Sequence, residues 1–563
     1  MDYPYDNLED FTLPSLLKRS IGLYSKETAF GNVGGDSITY GEFDNKVQKM
    51  IDLLISNGIN KGDKVLLLSE NMPNWAVAYF AVTYFGAVVV PVLPDFHTAD
   101  VHHIIRHSKA KAVFVSTKHL PTIEECENSD IKFIIKLDTL KIIDELTNKD
   151  YITQIRLKTK ELKEKISKSI TNLPKPDEDD LAALLYTSGT TGHSKGVMLS
   201  HKNLVTNTLS AYTHFKACKD DVLLSILPLA HTLECTVGML IPVLYGASVY
   251  YIDKAPTPSV LLKAFNIVKP TMMLSVPLII EKIYKNKILP NFTSSIFIKA
   301  LYKVPFIRKK LNKIAGKKLI ETFGGRIRFF GIGGAKLSPF VEQFLLEAEF
   351  PYIIGYGLTE TAPLIAGTVL GKPMKVGSTG VPMAGVEIII KDKDTQTGEG
   401  EIIVKSPSVM MGYYKDEEKT AEVIQDGWFY TGDLGYIDKN GNLFISGRSK
   451  NVIIGSGGEN IYPEQIEAII NQNETVLDSL VMDVDGKLVA RVHLDYELID
   501  KMFKADNTPE SKVQEDIKNY LQDMKVNVNT NLASYCKILK FIEQIEPFVK
   551  TPTKKIKRYL YEN

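Results

Sequence analysis

The sequence predicts an α/β protein: a large N-terminal body of βα layers that includes a β-rich subdomain, then a small α+β domain. Three observations carry this. From residue 64, continuous apolar runs alternate with helical segments, the pattern of parallel strands buried on both faces. From 376 to 447 the pattern changes to short alternating strands bounded by turn residues. The last stretch, of roughly 110 residues, mixes strands with helices and is about the size of a small domain.

In chain order, "KVLLLSE" reads as a strand, "WAVAYFAVTYFGA" as a helix, "VVVPVLP" as a strand, "TADVHHIIRHSKA" as a helix and "KAVFVST" as a strand. Residues 140 to 180 are rich in Lys, Glu and Asp and read as surface helix and loop. The βα rhythm resumes at "LAALLYTSG" and continues through "SVYYID", "TMMLSVP" and "IRFFGIGGA". The β-rich part contains "GVEIIIKD", "GEIIVKS" and "LGYIDKNGNLFISG". Asn440-Gly441 predicts a hairpin with a type I′ turn, whose two central residues both need φ > 0. "SLVMDVDG" and "LVARVHLD" supply strands to the last domain.

The 563 residues are 44% apolar and 24% charged, with 67 basic against 67 acidic residues and no net charge, so no basic excess points to a nucleic-acid partner. Cys126, Cys218, Cys235 and Cys536 lack CxxC spacing, which fits a reducing compartment and argues against a disulfide framework or structural zinc. The opening "MDYPYDNLEDFTLPSLL" has no basic region before an apolar run, so no secretory signal is expected and the cytoplasm is the expected location. "WAVAYFAVTYFGAVVVPVLP", from Trp75, is split by Gly86 and Pro91 and reads as a helix entering a buried strand, not a membrane span. No feature specifies an oligomeric state.

Chemistry concentrates first in "LLYTSGTTGHSKGVMLSH", residues 184–201. An apolar strand runs into Thr187, Ser188, Gly189, Thr190, Thr191 and Gly192, followed by Lys195 and Gly196. Glycines let backbone N–H groups converge on phosphate oxygens, hydroxyls add donors, and a lysine adds charge. The Walker spacing is absent.

This loop resembles the signature of the adenylate-forming superfamily, which includes acyl-CoA synthetases, firefly luciferase and peptide synthetase adenylation domains. "GYGLTETAP" (355–363), "GWFYTGDLGYID" (427–438), "SGRSKNVIIGSGGENIYPEQIE" (446–467) and "KTPTKKIKRYL" (550–560) resemble its other motifs, in the family's order and across essentially the whole chain. The resemblance implies an N-terminal AMP-binding domain over 1–448 and a mobile C-terminal lid over 449–563, hinged near Lys450.

It also implies the site. ATP would meet the loop 187–192 with Lys195, the turn Gly333-Gly334-Ala335, the stacking Tyr356 with Gly357 and Thr359, the ribose-binding Asp433, and Arg448. Magnesium would be held by Thr187 and Glu360. His231, in "LPLAHTLE", takes the position of a histidine near the substrate carboxylate, against the plain reading of a satisfied core histidine. Lys555 takes the slot of the catalytic terminal lysine; the family's glycine before it is Lys554 here, and spacing favours Lys555. Lys557 and Arg558 receive no role. Gly458 would line the route of the coenzyme A thiol.

The implied reaction activates a carboxylate with ATP to an acyl-adenylate, then transfers the acyl group to coenzyme A. Length, "LPLAHTLE" and the chain ending look most like long-chain fatty acid–CoA ligases. The alternatives are a fatty acyl-AMP ligase serving an acyl carrier protein, and a catalytically silent membrane-associated scaffold. Chain-length preference is not readable. Segment 296–319, "IFIKALYKVPFIRKKLNKIAGKKL", carries many Lys and Arg and no acid. It reads either as a solvated helix or as a peripheral membrane contact with Phe297, Leu301, Phe306 and Ile307 dipping inward, and Pro305 interrupts it.

Overall fold

The computed structural model describes residues 8–127, 129–143, 174–187, 194–293, 295–455, 459–503, 509–552 and 555–561. Most of the segment 140–180 therefore lies outside the described residues. The chain divides into two compact units. The larger holds the described residues up to Thr187, then Ser194–Ile388 and Val404–Phe429; the smaller holds Ile389–Ile403 and the described residues from Tyr430 onward.

The larger unit carries two sheets. One has the strand order 412–413, 195–200, 181–187, 88–92, 64–68, 112–115, 133–136, 141–142. Its central strands are parallel, with Val65 opposite both Val89 and Ala112, and Val89 opposite Ala183. The stretch from Trp75 forms the helix Pro73–Tyr84 and the strand Val88–Val92. That helix is apolar all round because its residues from Trp75 to Thr83 are all buried. No helix among the described residues is long and apolar enough to cross a membrane.

The second sheet has the order 381–382, 364–367, 352–357, 329–332, 272–275, 222–225, 248–251, 28–32, 37–39. Strands 222–225, 272–275, 329–332 and 352–357 are parallel neighbours. Three expected motifs follow or end these strands: the His231 loop after Ser225, the turn 333–335 after Ile332, and Gly357 at the end of Tyr352–Gly357. Parallel sheets bind ligands outside the carboxyl ends of their strands, so the topology gathers these motifs where a ligand belongs.

In the smaller unit, strands Val476–Val484 and Lys487–Leu494 are antiparallel, Lys540–Glu543 joins in parallel, and helices Pro463–Ile470 and Glu510–Thr530 share their core. The hairpin Trp428–Ile437 with Leu443–Arg448 forms where expected, but its turn is of another type. Asp438 accepts from the Gly441 N–H and donates to the Asn442 carbonyl, both at 2.9 Å, and Gly441 has φ 80° while Asn440 is not left-handed. A longer loop around Asp438, whose carboxylate takes the Asn440 and Asn442 N–H groups, replaces the two-residue type I′ turn.

The compact division falls at Phe429/Tyr430, upstream of the motif-based boundary at 448/449. Within the smaller unit, Thr431 Oγ1 donates to the Ile402 carbonyl at 2.7 Å, Tyr462 Oη donates to Glu399 Oε2 at 2.6 Å, and Ser446 donates to Glu399 as well. These bonds bind the hairpin and 389–403 to the rest of that unit.

Candidate active site

The expected phosphate loop connects two paired strands. Leu181–Thr187 and Lys195–Ser200 are antiparallel with Thr187 opposite Lys195, which pins the two ends of the loop together. Ser188, Gly189, Thr190, Thr191 and Gly192 lie outside the described residues. Lys195 opens the returning strand, and its Nζ sits 5.3 Å from the centre of the Tyr413 ring.

Tyr413 belongs to a two-residue strand, Gly412–Tyr413, that pairs with the returning strand opposite Met198 and Val197. Its hydroxyl donates to Glu360 Oε1 at 2.9 Å. The Glu360 carbonyl accepts from Met410 N–H at 2.8 Å. One aromatic ring thus links the expected phosphate lysine to the expected metal carboxylate. Sequence reasoning missed Tyr413, since two strand residues leave no periodicity to read.

A second link runs through the helix His201–Ala211, which leaves the returning strand through a capping box of Ser200 and Asn203. Asn203 Nδ2 donates to the carbonyls of Pro407 and Val409 at 2.7 and 2.9 Å. Asn207, wholly buried, donates to the carbonyls of Thr361 and Leu364 at 3.1 and 2.8 Å and accepts the Leu364 N–H at 3.1 Å. These buried amides hold the turn that presents Thr359 and Glu360.

That turn requires glycine at its entrance. A Cβ on Gly357 would lie 1.7 Å from the Pro363 carbonyl oxygen, and the same oxygen accepts from Leu358 N–H at 3.0 Å. Tyr356, just before it, is buried in the strand. A Cβ on Gly333 would lie 3.0 Å from Leu233 Cδ2 and 3.5 Å from the Gly355 carbonyl oxygen. The turn Gly333-Gly334-Ala335, with Gly334 at φ 86°, therefore lies between the His231 helix and the Tyr356 strand.

His231 is half-buried and caps the short helix Thr232–Cys235, its Nδ1 accepting the Leu233 N–H at 3.2 Å. Thr232 Oγ1 donates to Thr359 Oγ1 at 3.4 Å and Thr236 Oγ1 to the Ala362 carbonyl at 3.0 Å, which docks this helix on the Glu360 turn. Asn71 fixes the preceding loop, donating to the Leu227 carbonyl at 2.6 Å and accepting Leu229 N–H at 2.8 Å. Asn71 also donates to Ser225 Oγ at 3.0 Å, and Ser225 donates to Glu234 Oε1 at 2.5 Å. Burial pushes the Glu234 carboxyl up to about 8, against the pull of the Ser225 bond, and Oε2 has no partner among the described residues. A carboxyl in this state is neutral at ordinary pH.

The hydroxyl of Thr187 and the carboxylate of Glu360 are hard oxygen donors of the kind magnesium takes, with water and phosphate oxygens filling its remaining positions. Among the described residues no cluster of three or more His, Cys, Asp or Glu side chains is placed to hold a metal.

In the smaller unit, Asp433 and Arg448 face each other across the hairpin. Arg448 Nε lies 2.7 Å from Asp433 Oδ1, and Arg448 Nη1 donates to the Thr431 carbonyl at 3.3 Å. Lys450 is exposed in the short turn Ser449–Asn451, and Gly458 lies outside the described residues. Lys555 is exposed on a turn closed by Thr551, whose N–H donates to the Lys555 carbonyl at 2.8 Å and whose Oγ1 accepts Lys555 N–H at 3.1 Å. Lys554 lies outside the described residues. Arg558, given no role from sequence, donates from Nη2 to both oxygens of Glu467 at 2.6 Å.

The fold recurs in solved structures. It superposes on ATP-bound MatB from Rhodopseudomonas palustris with a TM-score of 0.73 at 24% identity, covering 97% of this chain and 98% of that one. It superposes on the o-succinylbenzoate coenzyme A synthetase of Bacillus subtilis, solved with ATP and magnesium, with a TM-score of 0.72 at 23% identity over 97% and 98%. Residues 17–414 match the AMP-binding enzyme family, and the chain belongs to that family. Among curated relatives, the long-chain-fatty-acid–CoA ligase heimdall of Drosophila melanogaster is 29% identical over 92% of this chain and 80% of its own. Long chain acyl-CoA synthetase 1 of Arabidopsis thaliana is 32% identical over 78% and 71%, and the long-chain-fatty-acid–CoA ligase of Bacillus subtilis 28% over 90% and 89%.

Proposed function

We propose that this protein is an AMP-forming long-chain fatty acid–CoA ligase acting in the cytoplasm. It activates a fatty acid with ATP to an acyl-adenylate, releases pyrophosphate, and transfers the acyl group to coenzyme A with loss of AMP. The observation that carries this reading is the Lys195–Tyr413–Glu360 link beside the pinned phosphate loop, in a chain whose curated relatives carry this activity in their names.

In this reading the loop N–H groups and hydroxyls of 187–192 and Lys195 hold the triphosphate, since nucleotidyl transfer asks mainly for positioning and charge neutralisation. Tyr356, Gly357 and the turn 333–335 flank the adenine, Thr359 lines the same turn, and Asp433 accepts from the ribose hydroxyls with Arg448 beside it. Thr187 and Glu360 would hold magnesium, which when bound would supply charge neutralisation at the phosphates. His231 orients the substrate carboxylate. Lys555 supports the attack on the α-phosphate, and rotation of 449–563 about Lys450 brings the Gly458 loop to the thiol's route. Segment 296–319 meets a membrane surface peripherally.

The test is pyrophosphate release with a panel of carboxylic acids, with and without coenzyme A. Acid-dependent release, greatest with long chains, and thioester formation only with coenzyme A are expected. Folded protein giving no acid-dependent pyrophosphate would end the enzyme reading; acyl-adenylate without thioester would favour transfer to a carrier protein.

A further inference from the structure

Segment 296–319 folds as two helices, Ile296–Tyr302 and Pro305–Thr322, with Pro305 opening the second. The second helix has two opposed faces. At about 100° per residue, Asn312, Gly316 and Leu319 share one stripe, and all three are buried. Phe306, Lys310, Lys313 and Lys317 share the opposite stripe, and all four are exposed.

The inner face is fixed by specific contacts. Arg308 donates to both oxygens of Glu347, Asn312 donates to Glu347 Oε2 at 2.8 Å and accepts from Tyr302 at 2.8 Å. A Cβ on Gly316 would sit 2.5 Å from the Ala348 carbonyl oxygen, so this helix lies directly on the end of the next one. Leu301 and Ile307, read with Phe297 and Phe306 as dipping into a membrane, are both half-buried, whereas Phe297 and Phe306 are exposed.

On the second helix Phe306 is 66% exposed and Ile314 56%; before it, Phe297 of the first helix is 71% exposed and Val304, between the two helices, 45%. On the same helix Lys309, Lys310, Lys317 and Lys318 are exposed and have no acidic partner among the described residues, and Lys310 Nζ lies 4.4 Å from the Phe306 ring centre. Lys313 is paired, with Glu349 at 2.8 Å. Exposed aromatic and aliphatic side chains interspersed along the segment with lysines that have no acidic partner among the described residues, and no acid in the segment itself, complement one surface in particular: apolar side chains entering the acyl boundary while ammonium groups meet anionic headgroups.

We infer that this segment docks the larger unit on an anionic lipid bilayer, with Phe297, Val304, Phe306 and Ile314 inserted and Lys309, Lys310, Lys317 and Lys318 at the phosphates. The inference rests on the peripheral contact proposed above and names its face and its lipid chemistry. A water-poor substrate such as a long-chain acid partitions into bilayers, so docking there raises the concentration of acid the enzyme meets.

The test uses the full chain and sedimentation with phosphatidylcholine vesicles, plain or doped with phosphatidylserine. Preferential, salt-sensitive binding to the doped vesicles is expected. In a variant carrying Lys309→Gln, Lys310→Gln, Lys317→Gln and Lys318→Gln, affinity should fall by about fivefold per lysine. A variant carrying Phe297→Ser, Phe306→Ser and Ile314→Ser should bind weakly while its remaining binding stays salt-sensitive. Equal binding of the wild type to both vesicles, or an unchanged lysine variant, would overturn the inference. So would binding to soluble RNA that the apolar variant leaves intact, which would mark a general polyanion site. Pyrophosphate release with detergent-dispersed fatty acid, run on all three proteins without vesicles, should be unaltered. Vesicle binding without turnover would sink the enzyme reading alone, and turnover without vesicle binding would sink the docking face alone.

Discussion

The Tyr413 hydroxyl donates to Glu360 Oε1 at 2.9 Å while the same ring lies 5.3 Å beneath Lys195 Nζ. The ring and the hydroxyl therefore act on different partners and are separable by mutation. Tyr413→Phe keeps the ring under Lys195 and frees the Glu360 oxygen. Adenylation should slow by about tenfold, the scale of a lost hydrogen bond to a charged acceptor. Tyr413→Ala should slow it further, because Lys195 then loses its platform as well. Pyrophosphate exchange with varied magnesium and ATP measures both; a Phe variant as fast as wild type would show that the hydroxyl has no part in adenylation, and an Ala variant as fast would remove Tyr413 from the site.

Gly357 offers a steric test. An added Cβ would meet the Pro363 carbonyl oxygen at 1.7 Å, far inside contact distance, and neither backbone segment is free to yield. Asn207 holds the far side of the same turn through Thr361 and Leu364. Gly357→Ala should cost more than about 3 kcal/mol in stability or distort the turn that carries Glu360. Thermal unfolding together with ATP titration distinguishes the two. A stable variant with normal ATP affinity would show that the turn does not contact the nucleotide.

Glu234 gives the protein a pH dependence of predictable sign. Its ordinary value is 4.5, and burial raises it to about 8. Between those values the folded protein keeps a proton that the unfolded chain has released. Stability therefore falls as pH rises through this window, by on the order of 5 kcal/mol at most, and levels off above it. Glu234→Gln keeps the shape and cannot ionise, so its lead in stability over the wild type should grow across the window. Chemical denaturation below, within and above it measures the difference. A constant offset would mean that Glu234 does not titrate in this window.

The strands at 64–68, 88–92 and 112–115 and the motif order were legible because their information is local: apolar runs of fixed period, and functional residues a few positions apart. What was not legible acts across long separations. Asn207 reaches Thr361, 154 positions away, and Asn71 reaches Ser225, also 154 positions away; an asparagine in a sequence does not announce such partners. The hairpin at Asn440-Gly441 was read correctly as a hairpin, but the turn type turned on whether Asp438 would take the N–H groups beyond it. In the segment 296–319 composition gave the charge, whereas which apolar residues face outward depended on Glu347 and Ala348, which lie outside it.

The chain's basic ending divides by partner. Lys550 Nζ lies 2.7 Å from Asp478 Oδ2, and Arg558 joins Glu467 with two bonds at 2.6 Å and the Val481 carbonyl with one at 3.1 Å. Between these anchors Lys555 stands exposed on the Thr551 turn. Arg558→Ala leaves a largely buried glutamate without its cation, which should destabilise the smaller unit by about 3–5 kcal/mol and depress both half-reactions. Lys555→Ala should slow adenylation by about a hundredfold or more and spare thioester formation from supplied acyl-adenylate. Lys450→Pro, at the proposed hinge, should keep one half-reaction and lose the other. Measuring the two half-reactions beside thermal unfolding separates all three variants. Equal loss of both halves in a stable Lys555→Ala protein would refute the division of labour, and survival of both in Lys450→Pro would move the hinge elsewhere.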